Sequence, residues 1–156
     1  MRLDIALFCL YAAEHMDNEA FQTGTPLFRA ITTGNEECLK NLLSAGADAN
    51  ECYGEDEEPA LLVAAVEGRE EMALQLLAAG AEVNAAENNE GNTVLMCAVQ
   101  ALAPELVELL LAHGAKAALR SSRGDTAAEY ISNELLYLWN PIKRNRANRI
   151  LEMLKA

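Results

Sequence analysis

Residues 46–50 read GADAN, and the pattern returns as GAEVN at residues 80–84 and as GAK at residues 114–116. The three copies are evenly spaced along the chain. Upstream of each copy, apolar residues recur at matching offsets: Leu27, Leu61 and Leu95; Ala30, Ala64 and Ala98; Leu42/Leu43, Leu76/Leu77 and Leu110/Leu111. Such a period is typical of a solenoid, whose stacked units cannot bury their apolar faces alone. The period therefore favours an array that presents a surface over a fold that encloses a chemical site.

The third copy predicts two helices joined by a turn. Residues 92–99 (NTVLMCAV) open a short helix that Thr93 can cap through its side-chain oxygen. Pro104 suits the first turn of a second helix, where its missing N–H has no intrahelical partner. Gly114 is placed to end that helix in the left-handed conformation. One unit is therefore helix, turn, helix and extended loop.

The first copy resembles the ankyrin repeat. Residues 24–30 (GTPLFRA), Gly34 and the closing GADAN match the threonine–proline–leucine signature and the period of that family. The motifs together cover about residues 18–131. The resemblance implies an all-α solenoid of helix–turn–helix units with short hairpin loops, or fingers, that project sideways. It also implies binding of other proteins without chemistry of its own.

We expect a single ankyrin-repeat domain over residues 1–156. The expected parts are an N-terminal cap helix or half-repeat at 1–17, repeats at 18–51, 52–85 and 86–118, and an elaborated capping repeat at 119–156 with an insertion near 134–143. The second helix of the capping repeat aligns at residues 148–155. Terminal units of solenoids are atypical because their outer faces meet water.

The insertion contains Trp139, the one tryptophan of the chain, and Tyr137. Aromatic residues of this kind can anchor an interface. They can also form a lid over the open end of the array. We favour the lid, because a solenoid must cap its ends.

The second finger departs from the family pattern. Glu57 stands where the hairpin turn needs glycine, and a positive φ costs other residues more free energy than it costs glycine. We therefore expect residues 53–58 to form a loose acidic loop rather than a regular hairpin.

Charge is divided unevenly along the chain, whose net charge is −12. Residues 1–115 carry four basic and 20 acidic residues, whereas residues 116–156 carry eight and four. An acidic body repels nucleic acid and anionic membranes and attracts a basic partner, although solubility alone also explains it. The basic stretch near the C-terminus is expected to pair internally or face solvent; it comprises Lys143, Arg144, Arg146 and Arg149.

The resemblance also implies where a partner binds, namely the fingers and the end of each first helix, which line a concave face. In register, the predicted partner-binding residues are Tyr53, Glu55, Asp56, Glu58, Val66 and Glu67; Glu87, Asn89, Glu90, Asn92, Gln100 and Ala101; and Arg120, Ser122, Arg123 and Asp125. Carboxylates thus fall on the second and third fingers and guanidinium groups on the fourth. A solvated charge run is the alternative, but the clustering on one edge favours a surface that grips a basic patch.

The sequence carries no motif for metal binding or catalysis. The cysteines (Cys9, Cys38, Cys52, Cys97) form no CxxC pair, and we interpret them as reduced thiols, with Cys38 and Cys97 buried. There is no glycine-rich phosphate loop and no nucleophile elbow. We expect no enzyme activity, no cofactor and no metal.

An apolar run at residues 5–13 is too short to span a bilayer, and its flanks favour a structural helix over a signal peptide. We therefore expect a cytoplasmic monomer that binds neither nucleic acid nor membrane. The expected function is a non-catalytic protein-binding module, acting as an inhibitor or immunity-type neutralising protein of a basic partner. The alternative is an adaptor or scaffold that links or localises partners without inhibiting them.

Overall fold

The computed structural model describes residues 24–87, 89–135 and 140–155. Within them the chain forms eight helices and one short hairpin. The elements are α1 (Pro26–Thr33), α2 (Glu36–Ser44), β1 (Cys52–Tyr53), β2 (Glu58–Pro59), α3 (Ala60–Val66), α4 (Glu70–Ala78), α5 (Val94–Gln100), α6 (Pro104–Ala112), α7 (Ala127–Leu135) and α8 (Pro141–Lys155). The expected cap helix at 1–17, Tyr137 and Trp139 lie outside the described residues.

Local signals in the sequence set where the helices begin. The Thr25 hydroxyl accepts a hydrogen bond from the Phe28 N–H at 3.3 Å, and Thr93 accepts one from the Met96 N–H at the same distance. Pro104 is the first residue of α6. The capping by Thr93 and the start of the second helix at Pro104 are therefore confirmed.

The helices form two layers around one continuous apolar core. The first helices of the units (α1, α3, α5 and α7) pack on one another in order, and the second helices (α2, α4, α6 and α8) do the same. Leu27, Leu61 and Leu95 are at most 2% exposed. Ala64 and Ala98 are fully buried between neighbouring first helices. Their small side chains allow these helices to approach closely. Each buried leucine contributes about 1.5–3 kcal/mol through the hydrophobic effect.

The asparagines that close the repeated motif join successive units. The Asn50 Oδ1 accepts a hydrogen bond from the Glu82 N–H at 2.8 Å, and its Nδ2 donates to the Gly80 carbonyl at 3.2 Å. Asn84 makes the same two bonds one unit later. The next position in register is Ala118, which has no side-chain amide and cannot make these bonds. We call this pattern the asparagine ladder.

The second finger is a regular hairpin, so the expectation of a loose loop is wrong. Strands β1 and β2 pair antiparallel, with Cys52 opposite Pro59 and Tyr53 opposite Glu58. Glu57 adopts a φ of +49°, which costs a non-glycine residue about 1–2 kcal/mol. The Tyr53 ring stacks on Phe28 of α1, with centroids 3.9 Å apart. This contact and the strand pairing offset the cost at the turn.

Helix α8 begins at Pro141 rather than at residue 148, where the repeat alignment places it. The Asn140 Oδ1 accepts hydrogen bonds from the N–H groups of Ile142 at 2.9 Å and Lys143 at 3.2 Å. Proline in the first turn adds a preset φ. Part of the expected insertion therefore lengthens this helix.

Candidate protein-binding surface

The second finger presents carboxylates at its tip. Glu55 and Asp56 are exposed in the turn between β1 and β2. Tyr53 is half-buried because it packs on Phe28, and this contact fixes the finger against α1. The tip therefore offers negative charge on a finger that is held in place at its base.

Carboxylates of the second and third fingers crowd one another. Glu58 is half-buried, and its pKa is raised first by burial and then by the negative charges of Glu87 and Asp56. The same field reaches the core, where burial, Glu87 and Glu58 raise the pKa of Cys97 to about 12. A cation placed beside Glu58 and Glu87 would remove this repulsion.

Asn92 holds the third finger from within. It is 6% exposed, and its Nδ2 donates to the Glu87 Oε1 at 2.7 Å and to the Glu90 Oε2 at 3.1 Å. Its Oδ1 accepts a hydrogen bond from the Tyr130 hydroxyl at 3.0 Å. The sequence predicts that Asn92 contacts a partner, but its burial gives it a structural role, and we leave it out of the surface proposed below.

The guanidinium groups of the fourth unit are paired within the chain. Arg123 pairs with Glu90, and Arg120 pairs with Glu129 at 3.1 Å and with the Gly124 carbonyl. These ion pairs are exposed, and such pairs are worth about 0–1 kcal/mol. The Arg123–Glu90 pair joins the fourth finger to the third, whereas Arg120 is paired within its own unit. Little positive charge is left there for a partner.

The ends of the first helices add apolar and polar exposed groups. Val66 is 54% exposed at the end of α3, next to the exposed Glu67. Four further residues of the predicted partner-binding set are also exposed, namely Asn89, Gln100, Ala101 and Ser122. Asp125 is half-buried.

Leu102 is a feature of this surface that the sequence analysis missed. Its φ is +52°, in a turn where the earlier units place Gly34 and Gly68. The register of the repeats could have predicted this positive φ, because it aligns residue 102 with the two glycines. Leucine has a conformational cost there that glycine avoids.

The basic residues of α8 divide into two groups. Arg149 pairs with Glu105 at 2.8 Å and with Glu108 at 3.4 Å, so internal pairing is confirmed for this residue. The pKa of Glu105 is lowered, first by a hydrogen bond with its own backbone N–H and then by Arg149. Lys143 and Arg144 are exposed and take part in none of the ion pairs among the described residues.

Comparison with protein families agrees with this architecture. The family model of ankyrin repeats in three copies matches residues 3–87 and 27–121. The chain belongs to the ankyrin repeat family. No curated protein matches it in sequence. The all-α ankyrin solenoid is thus confirmed, and its repeats are those of a protein–protein interaction module of a generally non-catalytic family.

The described part of the ankyrin array offers neither a metal site nor a membrane span. Among these residues, no three His, Cys, Asp or Glu side chains lie close enough together to hold a metal ion. No helix in that part of the chain has both the length and the apolarity to cross a membrane. Cys38 and Cys97 are buried, as predicted, whereas Cys52 is exposed.

Proposed function

We propose that this ankyrin protein binds a basic partner protein through its acidic edge and inhibits or neutralises it. We define the acidic edge as Glu55, Asp56, Glu58, Val66, Glu67 and Glu87. Burial raises the pKa of Glu58, and the negative charges of Glu87 and Asp56 raise it further. This crowding of carboxylates around Glu58 is the observation that carries the proposal. A lysine or arginine of a partner would relieve this repulsion on binding.

The proposal has a consequence for pH. A cation beside Glu58 stabilises its ionised form, so binding lowers the raised pKa of this group and releases a proton. Affinity therefore rises as the pH increases through the raised pKa of free Glu58, which lies above 4.5, and levels off beyond it. Titration calorimetry at a pH near the raised pKa of free Glu58, in two buffers of different ionisation enthalpy, would measure the released proton. Proton uptake on binding would contradict this arrangement.

The defining experiment is capture of the partner from the native cell extract at low and high salt. The test variant is E55K/D56K/E58K. The control variant E71K/E82K/E152K makes the same change in net charge at exposed residues outside the acidic edge. At about 1 M salt the screening length falls to about 3 Å, so a charge-steered complex should dissociate.

We expect the wild type and the control variant to retain one basic protein in equal amounts, and the test variant to lose it. The purified partner is then assayed for loss of its own activity when the ankyrin protein is added. Capture that is equal for all three proteins would refute the acidic edge as the binding surface. Binding without inhibition would refute the inhibitor role.

The second candidate function is an adaptor, which needs two separable surfaces. The exposed Lys143 and Arg144 of α8 supply a basic surface apart from the acidic edge. Capture of several partners, some retained by the acidic edge and others lost only in K143E/R144E, would support the adaptor instead.

A further inference from the structure

The first two turns of α8 form a surface that the described part of the chain leaves uncovered. Every residue from Pro141 to Arg146 is exposed, and the first buried residue of the helix is Ala147. Ile142 is 68% exposed, more than Val66 or Leu74, the other exposed large hydrophobic residues of the described chain. We call Ile142, Lys143, Arg144 and Arg146 the basic turn.

Lys143 and Arg144 of the basic turn do not stabilise the helix that carries them. Cations in the first turn face the positive end of the helix dipole, where each costs about 0.3–1 kcal/mol. Further along the helix, Arg149 gains two carboxylate partners. Lys143, Arg144 and Arg146 occur in none of the ion pairs among the described residues, although the charge of Arg146 helps to lower the pKa of Glu105. An anionic surface from outside the molecule would stabilise them.

The acidic edge has the complementary composition. It includes one exposed aliphatic side chain, Val66, next to the carboxylate of Glu67, and the basic turn includes one, Ile142, next to the cation of Lys143. No ion pair of the described residues joins the two surfaces within one chain. We propose that the basic turn of one copy docks on the acidic edge of a second copy.

This contact is heterologous, because two different surfaces meet. Each copy keeps one free basic turn and one free acidic edge, so the assembly grows head to tail. Two helical turns against a finger bury less than the roughly 1,000 Å² of a stable interface. The association is therefore weak, reversible and sensitive to salt.

The inference uses the acidic edge of the proposed function but does not require that a partner exists. A basic partner would occupy the same edge and return the assembly to monomers. The expected monomer is then the form found when the protein is dilute, at high salt or bound to its partner.

The test is sedimentation velocity over a concentration series at low and at high salt. K143E/R144E and E55K/D56K are each designed to abolish association, because like charges then meet at the contact. An equimolar mixture of the two variants should associate again, since the reversed helix of one meets the reversed finger of the other. E71K/E82K is the control that should associate as the wild type does, and circular dichroism checks that every variant is folded.

We expect the average mass of the wild type to rise with concentration at low salt and to fall to that of the monomer at about 1 M salt. A wild type that stays monomeric, a single variant that still associates, or a mixture that does not recover would each overturn the inference. K143E/R144E keeps the acidic edge intact, so it should still capture the basic partner. The two proposals can therefore fail independently: partner capture can succeed when self-association is absent, and self-association can occur when no partner is captured.

Discussion

Replacing Asn92 with alanine tests whether one buried amide holds the third finger in place. The substitution removes two hydrogen bonds to the carboxylates of Glu87 and Glu90 and one from the Tyr130 hydroxyl. It leaves the backbone of the finger and the start of α5 unchanged. Asn89→Ala, the same chemical change at an exposed residue of the same finger, is the matched control.

The size of the effect follows from the partners. A hydrogen bond to a charged group contributes about 1.5–3 kcal/mol and a neutral one about 0.5–1.5 kcal/mol. Glu87, Glu90 and Tyr130 are half-buried, so water can replace part of what the amide supplied. The lower ends of the ranges therefore apply, and we expect Asn92→Ala to lower the free energy of unfolding by about 3.5 kcal/mol.

The assay is urea unfolding at 25 °C, followed by far-ultraviolet circular dichroism. We expect Asn89→Ala to stay within about 0.5 kcal/mol of the wild type, as exposed substitutions do. A loss below about 1 kcal/mol for Asn92→Ala, or a loss equal to that of the control, would show that the hydrogen bonds of Asn92 do not hold the finger.

Three further predictions concern the turn, the response to acid and the thiols. Glu57→Gly should raise the free energy of unfolding by about 0.5–1 kcal/mol in urea melts, because glycine accepts the positive φ; a loss of stability would contradict this. Hydrogen bonds from the N–H and hydroxyl groups of Thr126 lower the pKa of Glu129. The stabilisation from these bonds is therefore present above pH 4.5, the ordinary pKa of a glutamate, and is lost as the pH falls through the lowered pKa. The difference in melting temperature between the wild type and Glu129→Gln should therefore be largest near neutral pH and shrink in acid, and a difference independent of pH would refute the assignment. In a Cys9→Ser variant, a thiol reagent should label Cys52 in the native protein, but slowly, because burial and neighbouring carboxylates raise the pKa of this thiol. The reagent should label Cys97 only when the protein unfolds, and rapid labelling of Cys97 in the native protein would contradict its burial.

The sequence predicts the architecture because its signals are local and repeated. The constant period of the repeats aligns the buried leucines, and Thr93 and Pro104 mark helix starts close in sequence to the groups they serve. The errors arise where distant residues decide. Glu57 tolerates its positive φ in a finger that packs on Phe28, which belongs to the first helix of the preceding unit.

The candidate surface was predictable as a set of positions but not as a set of free charges. The register of the repeats places Arg123 and Glu90 on neighbouring fingers, but the pairing of their charges depends on how the two fingers fold together. In the sequence, Asn92 resembles any other polar residue of a finger. In the structure it is buried and accepts a hydrogen bond from Tyr130 in the first helix of the next unit, so its role is structural. The partner-binding role of the exposed carboxylates stays a prediction.

The end of the asparagine ladder at Ala118 bears on the order in which the array comes apart. Hydrogen bonds from the side chains of Asn50 and Asn84 join the first three units in succession. The last junction has no such asparagine and depends on helix packing, on the hydrogen bond from the Ser122 N–H to the Glu90 carbonyl, and on side-chain contacts such as that of Tyr130 with Asn92. Local opening proceeds through the least secured cooperative unit. Among the described units, the last is therefore the one expected to open first, and its backbone amides should exchange with solvent ahead of those in the units that the asparagine ladder joins.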